Sequence, residues 1–173
     1  PGRERSARLG GRAVTAIVNL LDAAGGEEED RDGFRFRDRW VGGELGAELL
    51  GCSLYDVLPG QQLWPYHFHR GNEEWLVVVS GRPTVRTPEG ERELAPGDVV
   101  AFPLDEAGAH TVINRTAEDA RLAMFSTLNR ATYPVYPDSD KVAANKLCFR
   151  MSDAVDYWDG ETGPETLARF PAE

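Results

Sequence analysis

Apolar and β-branched residues in this chain gather in short runs cut by glycine and proline, and none of the central runs keeps a helical period. The pattern predicts strands over Ala47–Leu58, Leu63–His69, Glu74–Ser80, Thr84–Thr87, Glu91–Leu94, Asp98–Phe102, His110–Arg115 and Ala120–Asn129. Pro88-Glu89-Gly90 reads as a hairpin turn and Ala95-Pro96-Gly97-Asp98 as a second bend. Strand after strand at this spacing predicts an all-β sandwich or barrel over residues 41–130.

The flanks read differently. Residues 1–40 give an N-terminal arm and an edge strand. Within them, 1–12 carry four arginines with little to bury and are expected to be mobile, while Ala13–Leu21 could form a short strand or a helix turn. Gly25–Asp32 reads as an acidic loop, and the alternating Phe and Arg of Phe34–Trp40 as the edge strand. Residues 131–173 are expected to wrap the barrel, with Tyr133–Asp140 as an extended arm and Phe149, Met151, Tyr157, Trp158 and Phe170 as anchors.

Composition narrows the class. With 173 residues, 41 % hydrophobic and 28 % charged, the chain can bury one real core without staples. A net charge of −10 argues against nucleic acid and anionic membranes, which both demand a basic footprint. No apolar stretch approaches the roughly 20 residues of a membrane helix and no signal-peptide core opens the chain, so a cytoplasmic protein is expected. Cys52 and Cys148 show no metal-finger spacing and read as small buried hydrophobes. The basic residues are nearly all arginine, with Lys141 and Lys146 the two lysines, a bias attributable to codon usage.

The chemistry sits in the histidines. All three lie between positions 67 and 110, the first two within Gly60-x6-His67-x-His69-x4-Glu74-x6-Gly81. Residues two apart on a strand share a face about 7 Å apart, so His67 and His69 project together and Trp64, Tyr66 and Phe68 point the other way. The turn-like Arg70–Glu73 connector lets Glu74 return beside them, and His110 opens a later strand after the run Gly97–Pro103. Three imidazoles and one carboxylate form a donor set that zinc, manganese, iron, nickel or copper accepts. The plainer reading makes them pocket-lining histidines held by hydrogen bonds. Three together with Glu74 favour the metal.

These runs resemble the two signature motifs of the cupin superfamily, small jelly-roll barrels that hold a metal near their centre. The first family motif is a glycine, five residues, His-x-His, three or four residues, Glu, six residues and Gly. Here only the first gap differs, by one residue. The second is a glycine, five residues, Pro-x-Gly, two residues, His, three residues and Asn. Gly97, Pro103, His110 and Asn114 match it in order, but the 103–109 loop is longer and adds Asp105 and Glu106. The resemblance covers residues 47–129. The flanking Tyr136–Ser139 and Val155–Glu161 are similar to a bacterial group of single-domain cupins of the conserved-barrel type. The resemblance implies one divalent transition metal on His67, His69, Glu74 and His110, with Asn114 orienting strand and ligand by hydrogen bonds. It also implies a homodimer, since cupin barrels often pair through exposed strands.

Trp64, Tyr66, Trp75 and Phe102 read as packing residues. Arg86 and Arg121 could grip a substrate carboxylate, and Asp105 and Glu106 could serve as acid or base at the mouth, although solvated surface accounts for each. A divalent ion on this set carries +1, which suits an anionic or enolising small-molecule substrate. The expected function is a metal-dependent oxygenase or lyase/isomerase with Glu74 in its catalytic centre. The alternative is a non-catalytic module that binds or senses a small ligand. These 173 residues show no helix-turn-helix pattern, so a DNA-binding regulator is not expected.

Overall fold

The computed structural model describes residues 16–22, 26–129, 131–145, 147–161 and 163. Its strands run β1 (Glu27–Arg31), β2 (Phe34–Trp40), β3 (Leu50–Val57), β4 (Gln62–Arg70), β5 (Glu74–Ser80), β6 (Thr84–Thr87) and β7 (Gly90–Glu93). They continue as β8 (Val99–Phe102), β9 (His110–Ile113), β10 (Ala120–Thr127), β11 (Tyr133–Tyr136), β12 (Lys141–Ala144) and β13 (Leu147–Arg150). One four-residue helix, α1 (Val41–Glu44), and 3-10 turns at Asp105–Gly108, Pro137–Ser139 and Met151–Asp153 complete the described elements.

The strands make two antiparallel sheets. One is ordered β1-β2-β3-β10-β5-β8, the other β13-β12-β11-β4-β9-β6-β7. Between them lies the main core. Phe36, Val57, Leu76, Val78, Phe102 and Leu122 come from the first sheet, and Leu63, Val85 and Val112 from the second. The strand pattern predicts such an all-β sandwich or barrel, and the family resemblance implies its jelly-roll form. A second cluster of Val41, Cys52, Leu54 and Ala123 includes Cys52 and Leu54 of β3 and Ala123 of β10 and is sealed partly by Val18 and Leu20.

Several expectations for the flanks are corrected. The acidic segment expected to be a loop contains a strand, β1, paired along its length with β2. Asp32-Gly33 closes that hairpin as a two-residue turn, with Gly33 at φ +80. An exposed outer strand needs no apolar face, so its acidic run hid it. Phe34–Trp40 is a strand but not an edge, because β1 flanks it on one side and β3 on the other. Residues 16–19 take neither strand nor helix and 20–22 form a turn, while 1–15 lie outside the described residues.

At the other end, the extended arm supplies β11, and two unexpected strands, β12 and β13, prolong the second sheet. The supposed anchors are exposed: Phe149, Met151, Tyr157 and Trp158 all face solvent, and Phe170 lies outside the described residues. Cys148 is also exposed, contrary to expectation, while Cys52 is buried. Trp75 is half exposed on the outer face, its indole N–H donating to Glu73 at 3.0 Å.

Candidate metal centre

His67 and His69 lie on β4, His110 opens β9 directly opposite His67, and Glu74 opens β5 in the facing sheet. The two sheets therefore contribute imidazoles and carboxylate to one point between them. Register at this point depends on a bulge. Leu63 pairs with Val112 and His67 with His110, so β4 uses four residue steps where β9 uses two. Trp64 absorbs the excess at φ +50. That twist carries its indole into the main core against Phe36, ring centroids 4.6 Å apart, rather than to the outer side with Tyr66 and Phe68.

One ligand atom each from His67, His69 and Glu74 falls within 4.8 Å of the others. Glu74 Oε2 lies 3.4 Å from His69 Nε2 and 3.6 Å from His110 Nε2, which brings His110 to the same carboxylate. Two tautomers are set by the backbone. His67 Nδ1 sits 2.8 Å from the Pro65 carbonyl and His110 Nδ1 2.8 Å from that of Gly108, so each Nδ1 carries its proton and leaves Nε2 as a bare acceptor. Gly108 is obligatory there, since a Cβ would fall 1.8 Å from the Pro103 oxygen. Phe102 stacks on His110 at 3.7 Å and 6° and fixes the ring plane.

Burial sets the protonation. It lowers the pKa of His67, takes His69 down to about 4 and His110 to about 3, with neighbouring imidazoles adding to the last two, so all three stay neutral near pH 7. Burial also pushes Glu74 up to about 7. No guanidinium or ammonium group reaches this carboxylate among the described residues. A divalent ion would supply the missing positive charge and hold Glu74 ionised. His69 Nδ1 is buried without a hydrogen-bond partner. The donor set and the free Nε2 atoms fit a borderline divalent metal.

The remaining candidates fall elsewhere. Asn114 is fully buried, but its amide donates to the carbonyls of Val57 (2.8 Å) and Glu118 (2.7 Å) and accepts from Thr116; it ties loops together and touches none of the four residues. Arg86 is held by Asp138 at 2.5 and 3.0 Å over the Tyr66 ring, and Arg121 by Asp56 at 2.6 and 3.0 Å. Neither guanidinium is free for a substrate. Asp105 and Glu106 are gripped by Arg70 at 3.0 and 2.7 Å. A cavity of about 530 Å³ opens beside Val85, Leu94, Val99 and Val100 and is lined by none of the four.

Two residues escaped the sequence reading. Tyr136 on β11 lies over His67, ring centroids 5.7 Å apart and 27° between planes. Its burial pushes the phenol pKa up, with Cys148 contributing. Tyr55 packs edge-on to Phe36 and Trp64, its phenol pushed up to about 12 by burial with help from the Asp38 and Glu74 charges. Proline-flanked Tyr136 sits outside either sequence motif, and only the β11–β4 pairing brings it to the site.

Comparison with known proteins agrees with this fold. Residues 53–126 match the family model of the cupin domain. A candidate sugar phosphate isomerase from Acidithiobacillus ferrooxidans is 26 % identical, with 76 % of this chain and 88 % of that one covered at a TM-score of 0.69. A cupin-superfamily sugar phosphate isomerase from Silicibacter pomeroyi is 21 % identical over 83 % and 98 % of the two chains, TM-score 0.70. The polyketide cyclase RemF from Streptomyces resistomycificus is 19 % identical over 68 % and 82 %, TM-score 0.53. No curated protein matches. With two antiparallel sheets around a histidine-bearing centre, residues 53–126 are those of a cupin domain.

Proposed function

We propose that this protein is a metal-dependent enzyme of the isomerase or lyase type, acting on a small hydroxy-carbonyl compound at His67, His69, Glu74 and His110. One observation carries the reading. Glu74 is a buried carboxylate that meets the imidazole nitrogens of His69 and His110, at 3.4 and 3.6 Å, and no guanidinium or ammonium group among the described residues. Such a group is costly to bury without a cation. The metal would supply Lewis acidity toward a chelating oxygen and acidify bound water. The chain's own residues do the rest. The Pro65 and Gly108 carbonyls hold two imidazoles in the ligating tautomer. Phe102 and Tyr136 wall the rings of His110 and His67 against water.

Similarity at 26 % identity to a candidate sugar phosphate isomerase supports the isomerase branch over oxygenation. The exposed Leu147 and Phe149 of the outer strand β13 support a homodimer, which light scattering checks. The functional test is turnover by protein loaded with Mn²⁺ or Zn²⁺ against aldoses, ketoses, hydroxy acids and diketones, beside Glu74→Ala. Metal-dependent interconversion lost in Glu74→Ala supports the proposal. Metal-dependent binding without turnover of any of them replaces it with a ligand-holding module.

A further inference from the structure

The register of the second sheet places a row of residues on the face that carries His67. Phe68 pairs with Val135 and both pack in one cluster on the far face, so Tyr136, one residue on, faces with His67. The stacking of the two rings agrees. Tyr136 in turn pairs with Lys141, and Lys141 with Arg150. Residues directly opposite share a face, so Tyr136, Lys141 and Arg150 line up across β11, β12 and β13, running outward from His67.

Two like charges directly opposite on neighbouring strands repel, and a sheet gains nothing from them unless something else sits between. Among the described residues no carboxylate forms an ion pair with either of them. Lys141 rests its ammonium 5.5 Å from the centre of the Tyr136 ring and makes no ion pair among the described residues. Arg150 has no carboxylate in ion-pair contact among them either. The nearby acids are committed elsewhere. Asp138 is taken bidentately by Arg86, and Asp140, though it senses the Arg150 charge, accepts from the Ser152 amide at 3.1 Å. In a chain of net charge −10 whose arginines on β2, β4, β6 and β10 are paired with carboxylates, two cations side by side with no ion pair among the described residues are conspicuous.

We propose that Lys141 and Arg150 form an oxyanion subsite for the tail of the substrate, with Tyr136 as the wall between subsite and metal. The inference rests on the metal-centre reading for the other end of the substrate. Strands in a sheet lie about 4.8 Å apart, so β12 is about 10 Å from β4. That is the span of a four- to six-carbon chain, roughly, with a chelating hydroxy-carbonyl at one end and an oxyanion at the other. A guanidinium fork beside an ammonium suits a dianion, which favours a phosphate monoester; a terminal carboxylate shares the chemistry.

Calorimetry on the Mn²⁺-loaded and the metal-free protein would test this with three probes: ribose 5-phosphate, ribose and glucuronate. Wild type should bind ribose 5-phosphate about tenfold or more tighter than ribose. Lys141→Glu and Lys141→Met/Arg150→Met should level the two sugars, with Mn²⁺ stoichiometry unchanged. Lys141→Glu, which creates an ion pair with Arg150, should also raise the melting temperature without ligand, so lost binding is not lost folding. Glucuronate gaining as much as the phosphate identifies the tail as a carboxylate. A phosphate preference that survives in the double variant, or is missing from wild type, overturns the subsite. Failure to bind Mn²⁺ overturns the metal centre instead, while the phosphate preference of metal-free protein still decides the subsite.

Discussion

Two carboxylates of nearly equal burial show how differently this fold treats charge. Asp56 on β3 is 13 % exposed and Glu74 on β5 is 14 % exposed. Asp56 receives both arms of the Arg121 guanidinium, which also donates to the Leu21 carbonyl at 3.0 Å. Among the described residues Glu74 receives nothing comparable and meets imidazole nitrogens whose other sides are hydrogen-bonded, buried or both. An ion pair inside a protein is a closed unit that needs no further partner. A carboxylate left among neutral imidazoles is open: it takes a cation from outside the chain, as we propose, or it keeps its proton.

The comparison can be broken at several points. The largest effect is expected at His110. His110→Ala should weaken Mn²⁺ or Zn²⁺ binding by about 100-fold or more in a competition titration with a chelator, while the same test on Arg121→Met should leave affinity within about threefold. Stability should reverse that ranking. Arg121→Met leaves Asp56 buried and unpaired and should cost about 3 kcal/mol in urea unfolding, most of it recovered in Arg121→Met/Asp56→Leu.

Glu74→Gln should act in the opposite sense on metal-free protein. Burial raises the Glu74 pKa from 4.5 to about 7, so the stability present below pH 4.5 is lost as pH rises through 7. Removing the ionisable group should therefore stabilise the metal-free fold at pH 8 by up to about 3 kcal/mol and much less at pH 5, and should weaken metal binding. Gly108→Ala should cost about 1–3 kcal/mol, because Cβ would collide with the Pro103 oxygen, and lower metal affinity by displacing the carbonyl that orients His110. Arg70→Met should cost less than about 1 kcal/mol, its partners Asp105 and Glu106 being solvated.

The contrast also explains what the sequence made legible. His67, His69, Glu74 and His110 are tied to strand positions by period and spacing, so the pattern, with the family resemblance, already allowed them to meet at one point. Glu74–Ser80 and Thr84–Thr87 match their observed strands end to end because each is bounded by turn residues and faces the core. Exposed β7 was legible from its turn at Pro88-Glu89-Gly90, but the exposed strands at the sheet ends left no such mark. The acidic β1 and the four-residue β13 bury no face, and nothing local separates them from loops. Pairings across long separations were equally silent: Arg121 with Asp56, Arg86 with Asp138 and Tyr136 with His67 depend on which strands the sheets bring together. The bulge at Trp64 was hidden too, because an unremarkable alternating segment gives no sign that one residue will take a positive φ.

The measurement that tests the account most directly is the metal content of protein purified without chelator or metal-affinity tag, beside His67→Ala/His69→Ala. About one equivalent of a divalent transition metal in the wild type and none in the folded variant is the predicted result. Wild-type protein that is folded, carries no metal and takes up none on titration with Mn²⁺, Fe²⁺, Ni²⁺, Cu²⁺ or Zn²⁺ would contradict it, and Glu74 would then be a buried acid held protonated among neutral histidines.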